Sequence, residues 1–122
     1  MQRSIVTVVD DDESVRESLP DLLGELGYVA NAFASGEDFL ASEHLRSTDC
    51  LILDVTMPGM SGPDLHREVR RRGHDMPIIF ITAQRDETVH AGLRGPGVVA
   101  LLLKPFSDTA LQEALDAAFR GK

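Results

Sequence analysis

Two stretches decide the fold: Ile5-Val6-Thr7-Val8-Val9-Asp10-Asp11 and Cys50-Leu51-Ile52-Leu53-Asp54. Each is an apolar run of strand length that stops abruptly in carboxylates. The same design recurs twice further on. Met76-Pro77 opens Ile78-Ile79-Phe80-Ile81, which ends in Thr82, and Val98-Val99-Ala100-Leu101-Leu102-Leu103 ends in Lys104-Pro105. Strands that are apolar throughout, rather than alternating, belong in a parallel sheet covered on both faces. A fifth segment, Tyr28 to Phe33, alternates Val29, Asn31 and Phe33 against Tyr28, Ala30 and Ala32, as suits a shallower strand near an edge.

Helical patterns lie between these runs. Ser14 with Glu17 has the form of a capping box, followed by Val15, Leu19, Leu22, Leu23 and Leu26 at helical spacing up to Gly27, with Pro20 inside as a potential kink. Ser35 is placed to cap a short helix carrying Phe39, Leu40 and Leu45. The Pro/Gly loop Met57-Pro58-Gly59-Met60-Ser61-Gly62 leads into a helix with Leu65 and Val69 that ends near Gly73. Glu87 to Arg94 reads as a short helix with Val89 and Leu93 inward, before the turn Gly95-Pro96-Gly97. Ser107 caps a last helix striped by Ala110, Leu111, Ala114, Leu115, Ala118 and Phe119. Five βα units make an α/β, doubly wound parallel sheet, and 122 residues leave room for one domain only.

Composition narrows the function classes. With 43% hydrophobic and 26% charged residues the chain has the makings of a packed globule. Twelve Lys and Arg against twenty Asp and Glu, a net charge of -8, argue against a surface that neutralises nucleic-acid phosphates. Cys50 stands alone, Met1-Gln2-Arg3-Ser4 leads straight into the first strand, and no apolar stretch reaches the roughly 18 residues of a membrane span, so the expected setting is cytoplasmic.

In an open parallel sheet the working site lies beyond the carboxyl ends of the strands. Asp10, Asp11, Asp54, Thr82 and Lys104 all fall there, although they are spread over nearly the whole chain. Carboxylates that converge repel one another and call for a cation. Oxygen donors without His or Cys select a hard one, Mg²⁺ over Zn²⁺, and Mg²⁺ commonly brings phosphate chemistry with it. An aspartate can act as nucleophile and form an aspartyl-phosphate, while an amine and a hydroxyl hold the phosphoryl oxygens. Asp54, Lys104 and Thr82 suit those three roles.

The set Val9-Asp10-Asp11, Leu53-Asp54-Val55-Thr56-Met57-Pro58-Gly59-Met60-Ser61-Gly62, Ile81-Thr82-Ala83 and Lys104-Pro105-Phe106 resembles the receiver domain of two-component response regulators, and the likeness is greatest to FixJ-type receivers. It covers essentially the whole chain, residues 1–122. The resemblance implies a flavodoxin-like (βα)5 sheet in the strand order 2-1-3-4-5. It implies that Asp54 accepts a phosphoryl group from a sensor histidine kinase, and that Asp10, Asp11, Asp54 and the backbone carbonyl of Thr56 hold Mg²⁺, Asp11 more directly than Asp10. Lys104 would pair with the phosphoryl oxygens, and Thr82 would swing towards them, shifting the surface of the fourth helix, fifth strand and fifth helix. The product is a signalling switch rather than an enzyme, feeding a C-terminal DNA-binding output domain or a partner protein in transcription regulation, with phosphorylation-dependent homodimerisation as an option.

Departures from the family pattern are specific. Leu101 stands where the family usually carries an aromatic that turns inward with the threonine, and Gly95-Pro96-Gly97 shortens the fourth helix. Thr56 and Gln84 occupy positions that the resemblance associates with the lifetime of the phosphoryl group. Asp12 reads as a helix-start residue rather than a ligand. Arg70-Arg71-Arg72 reads as a cationic complement to a helix dipole, and His44, His66, His74 and His90 read as surface residues. Cys50 reads as a small buried hydrophobe. Competing functions are a Mg²⁺-dependent aspartyl-phosphate phosphatase, disfavoured because Thr56 replaces the acid such hydrolases use, and a receiver fold kept only as a binding platform. A flavodoxin-type nucleotide binder lacks its phosphate loop after the first strand. Gly121-Lys122 follows directly on the fifth helix, which fits either a stand-alone regulator or the N-terminal part of a longer one.

Overall fold

The computed structural model describes residues 3–120; the readings placed on Met1-Gln2 and Gly121-Lys122 lie outside them. Five parallel strands form one sheet: β1 (Ile5–Val9), β2 (Val29–Phe33), β3 (Cys50–Asp54), β4 (Ile78–Thr82) and β5 (Val98–Leu103). They lie in the order β2-β1-β3-β4-β5, every pairing parallel. The helices are α1 (Glu13–Glu25), α2 (Gly36–Ala41), α3 (Gly62–Arg71), α4 (Glu87–Gly92) and α5 (Asp108–Phe119). This is the doubly wound, flavodoxin-like arrangement expected.

Strand side chains alternate between two cores. Val6, Val8, Cys50, Ile52, Ile79, Ile81 and Leu102 pack on one face beneath Leu19 and Leu23 of α1 and Leu111, Ala114, Leu115 and Ala118 of α5. Val9, Leu51, Leu53, Ile78 and Phe80 pack on the other against Phe39 of α2 and Leu65 and Val69 of α3. Both faces are dry, which is why β3 and β4 are buried along their whole length. The buried Thr7 hydroxyl meets that of Thr48 at 2.7 Å, so β1 admits a polar residue without an orphaned group.

Several local expectations are corrected. α1 is capped by Asp12, not by a Ser14–Glu17 box: the Asp12 carboxylate accepts from both the amide and the hydroxyl of Ser14, each at 2.9 Å. A carboxylate at the first turn satisfies the free amide and complements the helix dipole at once. The helix runs through Pro20 to Glu25. Leu45 is not on α2; Ser42, with extended backbone, ends that helix and caps a separate 3-10 turn, Glu43–Leu45. α4 stops at Gly92, and Val89 faces outward at 38% exposure, while Leu93 is buried just past the helix end. Six residues give fewer than two turns, too short to present two inward positions.

The loop after β3 is closed by a capping box in which Ser61 and Asp64 bond each other's backbone amides at 3.2 Å. It brings Gly62 hard against the end of β3: a Cβ at Gly62 would lie 2.4 Å from the backbone carbonyl oxygen of Asp54 and 3.1 Å from the Cα of Val55. Both neighbours are main chain and cannot swing aside. Gly62→Ala is expected to lower stability in urea unfolding by about 1–3 kcal/mol, whereas Gly24→Ala, with nothing within 4 Å of the added methyl, should be neutral or stabilising.

Candidate functional site

β1 and β3 are hydrogen-bonded neighbours, so their C-terminal ends lie side by side. Asp10 leaves β1 fully buried and Asp54 closes β3 at 6% exposure, while Asp11 stands exposed at the mouth. Carboxylate oxygens of the three lie within 4.8 Å of one another. Asp10 is locked in place by its neighbours: its amide donates to the Phe33 carbonyl at 3.1 Å, and its Oδ1 accepts from the Asp12 amide at 2.9 Å. The Arg16 guanidinium, from the next turn of α1, donates to the Asp10 carbonyl at 3.0 Å.

Lys104 reaches into this cluster from the end of β5, its backbone amide donating a hydrogen bond to the Thr82 carbonyl at 2.8 Å. Its Nζ lies 3.0 Å from Asp10 Oδ2 and 3.7 Å from Asp54 Oδ2. The fully buried Asp10 Oδ2 has this ammonium as its close partner. Thr82 ends β4 beside them, buried, its hydroxyl accepting from the Gln84 amide at 3.0 Å. The structure therefore gathers Asp10, Asp11, Asp54 and Lys104 directly and sets Thr82 on the adjoining strand end, tied to its own loop. Thr56 is exposed just beyond Asp54.

The electrostatics are strained in one direction. Burial pushes the Asp54 carboxyl up to about 7; the charge of Asp10 adds to this, while Lys104 and the backbone amide of Thr56 oppose it. Burial alone would lower the Lys104 ammonium, but its contact with Asp10, then the charges of Asp54 and Asp12, hold it above its ordinary value. One cation faces three anions. The donor set, all hard oxygen and gathered within 4.8 Å, fits a small divalent ion such as Mg²⁺.

Away from the site, the arginine run is more than a dipole complement. Arg71 and Arg72 both grip Glu68, holding its carboxyl down to about 2. Arg70 turns back instead and donates to the carbonyls of His74 and Met76, each at 2.9 Å. His66 is not a free surface residue either: it lies edge-on to Phe80 and donates from Nε2 to the Pro96 carbonyl at 3.1 Å. His44 stands beside Phe33, and His90 Nε2 meets the Gln84 carbonyl at 2.6 Å. The Glu68 pairs follow the i, i+3 and i, i+4 spacing of a helix, whereas the contacts of His66 with Pro96 and of Arg70 with Met76 have no signal in local spacing.

The family model for the response regulator receiver domain matches residues 6–116. The chain is 41% identical over 116 residues to Nodulation protein W of Bradyrhizobium diazoefficiens, across 95% of this chain and 51% of that protein. It is 36% identical over 117 residues to the response regulator protein TodT of Pseudomonas putida, across 96% and 52%. On the crystal structure of FixJ-N it superposes with a TM-score of 0.84 at 35% identity, covering 97% of this chain and 94% of that one. The chain belongs to the response-regulator receiver family of two-component systems, a family of signalling switches whose members here include transcriptional regulatory proteins. It spans about half the length of the curated relatives it matches. Among the described residues no helix is long and apolar enough to cross a membrane.

A raised carboxyl has a thermodynamic signature. Between pH 4 and 7 the folded protein keeps a proton on Asp54 that the unfolded chain releases, so this group's contribution is full below about 4 and lost as pH rises through about 7. In the absence of divalent ions, Asp54→Asn should therefore stabilise the protein at pH 8 by about 2 kcal/mol after allowing for solvent screening. The gain should vanish by pH 4 in a pH series of denaturant melts.

Proposed function

We propose that residues 1–122 form a single receiver domain in which Asp54 is the phosphoacceptor. The reading rests on one observation: a nearly buried carboxylate at the end of β3, flanked by two further carboxylates within 4.8 Å and by one ammonium at 3.7 Å. That arrangement suits a group meant to gain a bond to phosphorus rather than stay a free anion.

Asp10, Asp11, Asp54 and the Thr56 carbonyl would hold Mg²⁺, which when bound neutralises the carboxylates and the oxygens of the incoming phosphoryl group. An Asp54 carboxylate oxygen attacks phosphorus, the bond from phosphorus to the imidazole nitrogen of a sensor kinase histidine breaks, and that nitrogen keeps the electron pair. Lys104, already oriented by Asp10, pairs with the transferred oxygens. The Thr82 hydroxyl, which accepts from the Gln84 amide, would turn and donate its proton to a phosphoryl oxygen. The modification adds about 1.5 to 2 negative charges, enough to bias a loop between two arrangements.

Around this chemistry the partners follow. A sensor histidine kinase supplies the phosphoryl group, and a C-terminal DNA-binding output domain or a partner protein reads the surface of α4, β5 and α5, with homodimerisation a further consequence of phosphorylation. The setting is cytoplasmic, and the domain itself touches neither DNA nor membrane. The switch takes part in its own phosphorylation and dephosphorylation without turning over an external substrate. Thr56 and Gln84, flanking the path of attacking water, set the lifetime.

With Mg²⁺ and a small phosphodonor, intact-mass measurement should show one added phosphoryl group on the wild type and none on Asp54→Asn. Lys104→Ala should bind Mg²⁺ yet accept the group at least about tenfold more slowly, since a lost charge-assisted contact in a partly dry site is worth more than 1.4 kcal/mol. Equal labelling of Asp54→Asn and wild type would remove Asp54 from the role.

A further inference from the structure

Helix α4 has no buried residue. Leu93, just past its C-terminal end, is its anchor in the core, so the bonds at the helix ends carry much of its placement. Asp86 caps it by accepting from the Thr88 amide at 2.8 Å. The other tie is longer in reach: His90, on the second turn, meets the carbonyl of Gln84 at 2.6 Å. A carbonyl can only accept, so Nε2 carries the proton, and both the neutral ring protonated there and the imidazolium can make this bond.

Gln84 is bound at both backbone groups. Its amide donates to the Thr82 hydroxyl at 3.0 Å, and its carbonyl accepts from His90. One residue thus joins the site's hydroxyl to the helix. On the far side, His90 lines the same groove as Leu101, a cavity of about 360 Å³ with Leu93, Arg94 and Val98 in its wall. Leu101 is only partly buried and lies beside Phe80 in the strand register. An aliphatic side chain there offers no polar handle on the loop.

We propose that His90 is a positioning residue, a tether through which displacement of the loop after β4 is passed to α4. The proposal rests on the reading of Asp54 as phosphoacceptor. When the Thr82 hydroxyl turns to the phosphoryl oxygens, the Gln84 amide loses its local partner while its carbonyl stays tied to His90. The loop then moves together with the helix rather than apart from it, and the wall of the groove moves with both. A network of this kind earns its role only if cutting it uncouples the two ends.

The test uses His90→Phe, which keeps a ring and removes the donor, and His90→Gln, which restores one. Each protein is treated with Mg²⁺ and acetyl phosphate, its phosphoryl content read by intact mass, and hydrogen exchange followed in residues 83–86 and 87–92. In the wild type both segments should change on modification. His90→Phe should take up the same phosphoryl group and show the same change in 83–86, with the change in 87–92 reduced at least about threefold; His90→Gln should recover most of it. An α4 response in His90→Phe equal to the wild type overturns the tether while leaving the acceptor reading intact. No phosphoryl uptake by the wild type overturns both. In the unmodified protein, nitrogen chemical shifts placing the His90 proton on Nδ1 alone would also contradict the tether.

Discussion

Crowded negative charge at the C-terminal edge of the sheet is the constraint on which everything else depends. Asp10, Asp11 and Asp54 bring carboxylate oxygens within 4.8 Å of one another, and among the described residues Lys104 is the ammonium that pairs with Asp10 and Asp54. Burial of Asp54 disfavours its anion and the charge of Asp10 beside it adds to this. The rest of the molecule supplies the rigidity that keeps them together. β1 and β3 are central strands with dry cores on both faces, and the Ser61–Asp64 box pins the following loop on the carbonyl of Asp54. A softer scaffold would let the carboxylates part.

Rigidity on one side of the sheet's edge contrasts with looseness on the other. α4 is short and unburied, β5 is only partly covered, and the turn before it is held by α3, through His66 and Arg70, rather than by a core of its own. Gly97 sits there at a φ of 80°, directly under the Arg70 guanidinium, in space a side chain would need. Membership of the receiver family gives this contrast a meaning: a site that must not yield lies next to a surface that can.

The strands and the edge they share were legible because their signals are local and redundant. Apolar runs ending in Asp10, Asp54, Thr82 and Lys104 declare length, burial and direction together, and the parallel order then forces the four ends to one side. Asp12 and Ser14 are different, since both can accept a helix amide and two residues of spacing cannot choose between them. Val89 follows helical periodicity in a helix too short to use it. Long-range polar contacts were out of reach altogether: nothing near His66, Arg70 or His90 in the chain says that Pro96, Met76 or Gln84 will offer a carbonyl. The division between Asp10, buried and ion-paired, and Asp11, exposed at the mouth, likewise emerges only once β5 delivers Lys104.

If repulsion among the carboxylates is what the site is built around, a divalent ion should enter there and nowhere else. Paramagnetic Mn²⁺ at substoichiometric levels, followed by amide line broadening, measures this directly. Amides of Asp10, Asp11, Asp54 and Thr56 should broaden first and recover when Mg²⁺ is added in excess, while those at the opposite strand ends, near Ile5, Cys50 and Ile78, stay sharp. Broadening spread evenly over the acidic surface, or absent from the ends of β1 and β3, would contradict the account.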